Sequence, residues 1–308
     1  MTIKKEPSTP KELSAIIEVG EEEDPEIHDF AVKNNVTMLA FIGSYVPRRY
    51  SPTTRGYSVI NIIDEFSVEQ ALTEVCRKTK NIRNKKLFLL VNSPGGSLAS
   101  AFKTANAVRD TFSDITVFVP HIAASGGTLI ALTGNKIVMG MMSQLSPLDV
   151  QIQNESGSPI SVNSYFRAKS RLDDYFSKRS EKESPYTMQH MAESLDPVLF
   201  EEFTGIQEEG KIYVDTILEK AGYKKNEREK IIESLIFTLP THGFVIQYPL
   251  ALQIGLKVAQ DNNYRDAWGI MRKWLSKYLV KESDKHFIRY SLPLKSKKQN
   301  SHSKKLKK

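Results

Sequence analysis

Cys76 is the only cysteine among 308 residues. No intrachain disulfide can form, and a reducing compartment is the expectation. One thiol and six scattered histidines cannot build a zinc cluster, so neither a metal nor a cofactor is expected. Long apolar runs are missing as well. The richest, 36–46 and 115–132, are broken by Gly, Ser, Pro or His before reaching the ~20 clean residues a membrane helix needs. The opening MTIKKEPSTPKELS has no apolar centre and does not read as a signal peptide. These absences together predict a cytoplasmic protein with no membrane span.

What is present is globular in balance, with 40% apolar and 26% charged residues. A chain of this length buries most of its apolar surface without covalent staples, as one large domain or two small ones. The formal charge of +7 is not spread over the body. Residues 295–308 hold seven lysines and no acid, which equals the whole excess. Residues 18–29 hold seven acids and no Lys or Arg. Both ends read as solvated: a mobile acidic leader over 1–34 and a basic tail over 281–308. The tail is suited to weak contact with nucleic acid or another anionic surface.

Between them the pattern alternates. Apolar, β-branched runs at 36–42, 86–91, 115–119 and 136–139 predict strands, and the continuous ones suit a sheet covered on both faces. Helical spacing appears at 66–80, 97–111 and 128–132. This alternation predicts an α/β fold of βαβ units with a mainly parallel sheet. From about 160 to 236 the sequence turns to charged helices, and a last α/β segment at 244–258 precedes a helix near 264–278. One folded domain is expected over 35–280, with its helical part at about 160–236.

Two glycine-rich turns follow buried strands, at the sheet edge where ligands of parallel sheets bind. Ser93-Pro94-Gly95-Gly96 lacks side chains where a backbone would expose N–H groups. Ala124-Ser125-Gly126-Gly127 places a serine among small residues at the start of a helix. A nucleophile needs access and waiting donors, and both turns supply them. Taken alone, Ser125 reads as an N-cap and the glycines as a turn; two such turns about 30 residues apart, with helix and strand between, point toward catalysis.

NSPGGSLASAFKTANAVR, VFVPHIAASGGTLIAL and KIVMGMMSQLSPLDVQI resemble the Clp/crotonase superfamily of serine peptidases. Within it the chain is most similar to the serine dehydrogenase proteinase family, whose closing segment THGFVIQYPLALQIGLKV also resembles. The likeness covers roughly 85–260. It implies a Clp-like spiral of βαβ units with an added helical region, self-association into a homo-oligomer, and a polypeptide substrate. Ser125 would be the nucleophile, with backbone N–H groups of Gly95 or Gly96 and of Gly126 holding the oxyanion.

The base is open. No His stands at 144–147, where the ring-forming Clp peptidase carries one, and its Asp position falls on Gly243, beside His242. Relatives with a Ser–Lys dyad carry the Lys some 40–50 residues downstream, and Lys169 is 44 residues after Ser125. Lys169 also lies within an apolar stripe of Val162, Tyr165, Phe166, Leu172 and Phe176, one turn before Asp173. A lysine desolvated there has a lowered pKa and serves as a neutral base; one paired with Asp173 does not. Asp149 is placed to orient a base or line the cleft. His121 is placed to orient the turn. Two other functions stay open: a Clp-like scaffold without catalysis, and a crotonase-like acyl-thioester enzyme that uses paired N–H donors and no serine.

Overall fold

The computed structural model describes residues 17–43, 59–153, 159–178, 185–279 and 286–294. In chain order the first elements are β1 (Ile17–Glu21), α1 (Pro25–Asn34), β2 (Thr37–Gly43), α2 (Ile62–Lys78), β3 (Lys86–Asn92), α3 (Leu98–Thr111) and β4 (Asp114–Val119). Then come β5 (Ile122–Ala123), α4 (Gly126–Ala131), β6 (Lys136–Met139), β7 (Gln144–Leu145), β8 (Gln151–Gln153) and β9 (Pro159–Ser161). The remainder is α5 (Val162–Phe176), α6 (Tyr186–Glu193), α7 (Pro197–Lys220), α8 (Lys225–Ile232), α9 (Tyr248–Ile254), β10 (Val258–Gln260), α10 (Arg265–Leu279) and β11 (His286–Ser291).

Seven strands form one sheet in the order β1-β11-β2-β3-β4-β6-β10. β2, β3, β4, β6 and β10 run parallel, and β11 enters antiparallel to β2 with β1 parallel to it at the edge. The fold is therefore α/β with a mainly parallel sheet. The parallel strands are apolar on both faces because both are covered. On one face Leu89, Val91 and Val117 pack with Val68, Ala105 and Leu129 of α2, α3 and α4. On the other, Leu90, Phe118 and Val138 pack with Ile27 of α1 and Trp274 of α10. α7 docks on α3 through stacked Phe102 and Tyr213 rings 4.1 Å apart.

Two boundaries differ from the sequence expectation. Residues 17–34 are not a solvated leader: β1 joins the sheet, and Ile27 and Ala31 of α1 are fully buried. Their acids find partners late in the chain. Glu22 accepts from Trp274 Nε1 at 2.7 Å and Tyr278 Oη at 2.9 Å and pairs with Lys277, while Asp24 and Glu26 pair with Lys273. An acidic run matched by cations some 250 residues away reads locally as a solvated end. Likewise the tail begins later than 281, because 286–291 is a buried strand. The lysines of 295–308 and the first 16 residues lie outside the described residues. Among the described residues no helix is long and apolar enough to cross a membrane.

Candidate active site

The two glycine turns meet at the carboxyl edge of the sheet. β3 continues past Asn92, so that Ser93 pairs with Ala123: Ser93 N–H donates to Ile122 O at 2.9 Å and Ala124 N–H to Ser93 O at 2.9 Å. This pairing carries Gly95 onto Ser125. A Cβ on Gly95 would stand 2.6 Å from Ser125 Cβ, 2.6 Å from Ala124 O and 3.1 Å from Gly126 N. Gly95 adopts φ +100°, which favours glycine.

The flanking residue Ile60 forms a bridge with Gly96. Ile60 N–H donates to Gly95 O at 2.8 Å, and Ser97 N–H donates to Ile60 O at 2.9 Å. In such a parallel bridge the polar groups of Gly96 itself point away from Ile60. Gly95 N–H is engaged by Ser93 Oγ at 3.1 Å. Of the two glycines, Gly96 is the one whose N–H has no acceptor among the described residues.

Ser125 is the conformational outlier of the turn, with φ 50° and ψ −120° and no side-chain cap hydrogen bond to α4. The N-cap reading therefore fails, and the hydroxyl is not spent on the helix. Its backbone is held from below. Ser125 N–H donates to Ser146 Oγ at 2.8 Å, and Gly127 N–H donates to Ala124 O at 2.8 Å. Thr128 Oγ1 lies 2.8 Å from Ala123 O and 2.9 Å from Ser146 O, which share its one proton, and accepts from Ser146 N–H at 3.1 Å. Gly126 opens α4 with its N–H beside the serine; among the described residues it has no acceptor. The half-exposed Ser125 thus sits over a buried, cross-braced floor.

The remaining candidates fall into two groups. Asp149 is buried at 3% exposure and accepts from Ser161 Oγ and from Asn163 N–H. Burial pushes its carboxyl above the usual aspartate range, against the lowering by the Ser161 and Asn163 bonds and by His242. His242 Nδ1 lies 2.5 Å from the Asp149 carbonyl oxygen. The segment after His242 returns to an antiparallel bridge of Ile246 with Leu145, beside Ser146. Lys169 is on α5: its Nζ lies 2.6 Å from Asp173 Oδ2 and 5.5 Å from the centre of the Phe200 ring, with the side chain 39% exposed. Its stripe is real but faces α7, where Tyr165 meets Phe203 and Phe166 meets Phe200. The His121 carbonyl binds Gln144 N–H, joining β5 to β7.

Sequence reasoning missed Ser93, Ile60, Thr128 and Ser146. Ser93 and Thr128 adjoin the glycine turns, but nothing local marks Ile60 or Ser146 as their partners. Among the described residues no group of His, Cys, Asp and Glu is arranged to hold a metal ion. A cavity of about 590 Å³ runs along α10, lined by Asp261, Arg265 and Trp268 and by none of Ser125, Asp149, Lys169 and His242.

Residues 44–178 match the family of ClpP-like SDH-type serine proteinases. The chain resembles that family. An uncharacterized protein of Methanocaldococcus jannaschii is 32% identical over 126 residues, which is 41% of this chain and 42% of that one. A second from the same organism is 33% identical over 86 residues, 28% and 29% of the two chains. The ATP-dependent Clp protease proteolytic subunit of Streptococcus mutans is 40% identical over 52 residues, 17% of this chain and 26% of its own. The chain thus spans less than half the length of each curated relative it matches. Among solved structures, a membrane-bound stomatin-specific protease aligns at a TM-score of 0.42 and 16% identity, over 68% of this chain and 79% of its own.

Proposed function

We propose that this chain is a serine peptidase whose nucleophile is Ser125. The observation that carries the reading is a serine held at φ 50°, ψ −120° directly against the Gly95 backbone. Ser125 Oγ attacks the carbonyl carbon of an extended polypeptide. The carbonyl oxygen, becoming an oxyanion, takes hydrogen bonds from Gly96 N–H and Gly126 N–H, with Gly95 shaping the approach. The proton of Oγ passes to a base and then to the departing amine. Water later attacks the acyl-serine by the same route.

Two groups can take that proton. Lys169 stands at the spacing of a Ser–Lys dyad, and its amine must leave Asp173 to act as a neutral base. His242 is favoured by a separate contact: Nδ1–H donated to the Asp149 carbonyl leaves Nε2 as a free lone pair. Fluorophosphonate labelling tests the nucleophile. Wild type should label and Ser125→Ala should not; unchanged labelling or peptide hydrolysis in Ser125→Ala refutes the assignment. Self-association shields such a site and is part of the proposal. A stable ~35 kDa monomer across micromolar concentrations in sedimentation refutes that part.

A further inference from the structure

A second set of polar groups, on the same edge of the sheet, takes no part in the scheme above. Asp64, in the first turn of α2, is fully buried. One carboxylate oxygen, Oδ2, accepts the Asn61 N–H at 2.8 Å and completes the cap of the helix, while Asn61 Oδ1 accepts from Ile63 N–H at 2.8 Å. That accounts for the cap. The other oxygen, Oδ1, is bound to Nδ1 of His286, which comes from β11, 222 residues later, and is 2% exposed. The far ring nitrogen, Nε2, is buried with no hydrogen-bond partner among the described residues. The ring stands edge-on to Phe41 at 5.5 Å.

A helix cap does not require a buried histidine. Replacing a buried polar pair by apolar groups is often neutral or stabilising, so stability alone gives weak reason for this one. Its location gives a better one. Asn61 is the residue after Ile60, and Ile60 clamps both ends of the Gly95–Ser97 turn. The seat is close: a Cβ on Gly96 would meet Ile60 N and O at 2.4 and 2.3 Å, and Ile60 Cδ1 lies 3.3 Å from where a Cβ of Gly126 would be. Only glycine lets the backbones come this near. A shift of Ile60 therefore turns the Gly96 N–H.

We propose that Asp64 and His286 form a positioning couple for the oxyanion turn: through Asn61 they fix Ile60, and Ile60 sets the direction of the Gly96 N–H. The inference rests on the assignment of Ser125 and Gly96 above. It makes β11, late in the chain, a contributor to the site although it touches no reacting atom.

The test uses the full-length protein and two variants of one residue. His286→Gln keeps a polar group near the place of Nε2 but loses the contact at Nδ1. His286→Asn places an amide N–H where Nδ1 was. Removing one oxyanion donor costs about 10²–10³-fold in kcat, and misdirecting it should cost on the order of 10-fold or more. We expect His286→Gln to lose that much in kcat with KM within about twofold, and Ser125 labelling to slow in parallel. His286→Asn should restore both. Amide hydrogen exchange gives the direct reading: Ile60 and Ser97 should exchange faster in His286→Gln while Leu89 in β3 stays protected. A folded His286→Gln with wild-type kcat and wild-type exchange at Ile60 overturns the proposal. Should that variant not fold, Asp64→Asn is judged by the same measurements. Failure of the wild type to label at Ser125 strikes the underlying assignment instead, and exchange at Ile60 and Ser97 still reports the clamp.

Discussion

Gly95→Ala puts the convergence of the two turns to the sharpest test. The new Cβ would lie 2.6 Å from Ser125 Cβ and from Ala124 O, where contacts under 3.0 Å essentially do not occur. Both obstacles belong to the serine turn, which is braced by Ser146 and Thr128 and cannot swing aside. Relief needs a displacement on the order of 1 Å, and such a misplacement costs roughly 10²-fold in rate. The φ of +100° adds strain of about 1–3 kcal/mol for any residue with a Cβ. The expected variant is thus folded but less stable by that amount, and slower by about 100-fold or more in peptide hydrolysis and Ser125 labelling. Gly205→Ala is the control. It lies in α7 with no atom of another described element within 4 Å of its would-be Cβ, so it should gain about 0.5–1 kcal/mol and keep full activity. Thermal unfolding and labelling kinetics on the three proteins suffice. Wild-type labelling by a folded Gly95→Ala protein would refute the convergence argument.

Ser125→Gly should abolish hydrolysis and yet raise Tm, because about 1–3 kcal/mol of backbone strain is released against a smaller entropic cost for glycine. His242→Ala and Lys169→Ala, assayed side by side, assign the base: its loss should cost about 10²–10⁴-fold, and the other variant should stay within a few fold. Near-normal rates in both variants remove both candidates. Glu22 predicts acid sensitivity. Burial raises its pKa, but hydrogen bonds from Lys277, the Asp24 N–H, Tyr278 and Trp274 outweigh that and hold it below the usual range. A depressed carboxyl contributes stability that is full above its unfolded value, near 4.5, and lost as pH falls through the folded value. Glu22→Ala leaves the Trp274 N–H and Tyr278 hydroxyl without their acceptor, so it should cost about 1–3 kcal/mol at pH 7 and flatten the acid limb of a stability–pH profile.

The parallel strands were legible because burial on both faces writes itself as unbroken apolar runs. The expected 36–42, 86–91, 115–119 and 136–139 sit within a residue of Thr37–Gly43, Lys86–Asn92, Asp114–Val119 and Lys136–Met139. The helix expected at 66–80 begins at Ile62, four residues early, because its start is set by the Asn61–Asp64 capping box rather than by apolar spacing. β1, α1 and β11 were not legible. Their charges are satisfied across the fold, by Lys273, Lys277 and Asp64, and no local window contains both partners. For Lys169 the apolar stripe was legible and packs on α7, where Phe166 meets Phe200; of the two roles left open for its amine, the structure shows the pairing with Asp173.

Ser125 also bears on the choice among functions. Three non-glycine residues among those described have positive φ. Asn35 and Asn81 lie in the left-handed helical region, at 48°, 47° and 53°, 43°, which asparagine tolerates. Ser125 does not share that region, because its ψ is −120°. Glycine would adopt this conformation at less cost, and two glycines, Gly126 and Gly127, already follow directly in the turn. A scaffold has no use for a hydroxyl held there, and an acyl-thioester enzyme that works by paired N–H donors has none either. The turn nonetheless pins the serine through Ser146, Thr128 and the Ser93 pairing while leaving its hydroxyl free of the helix cap. Strain maintained by buried braces around a half-exposed hydroxyl is what a nucleophile requires, and it is the physical ground for preferring the peptidase to the other two readings.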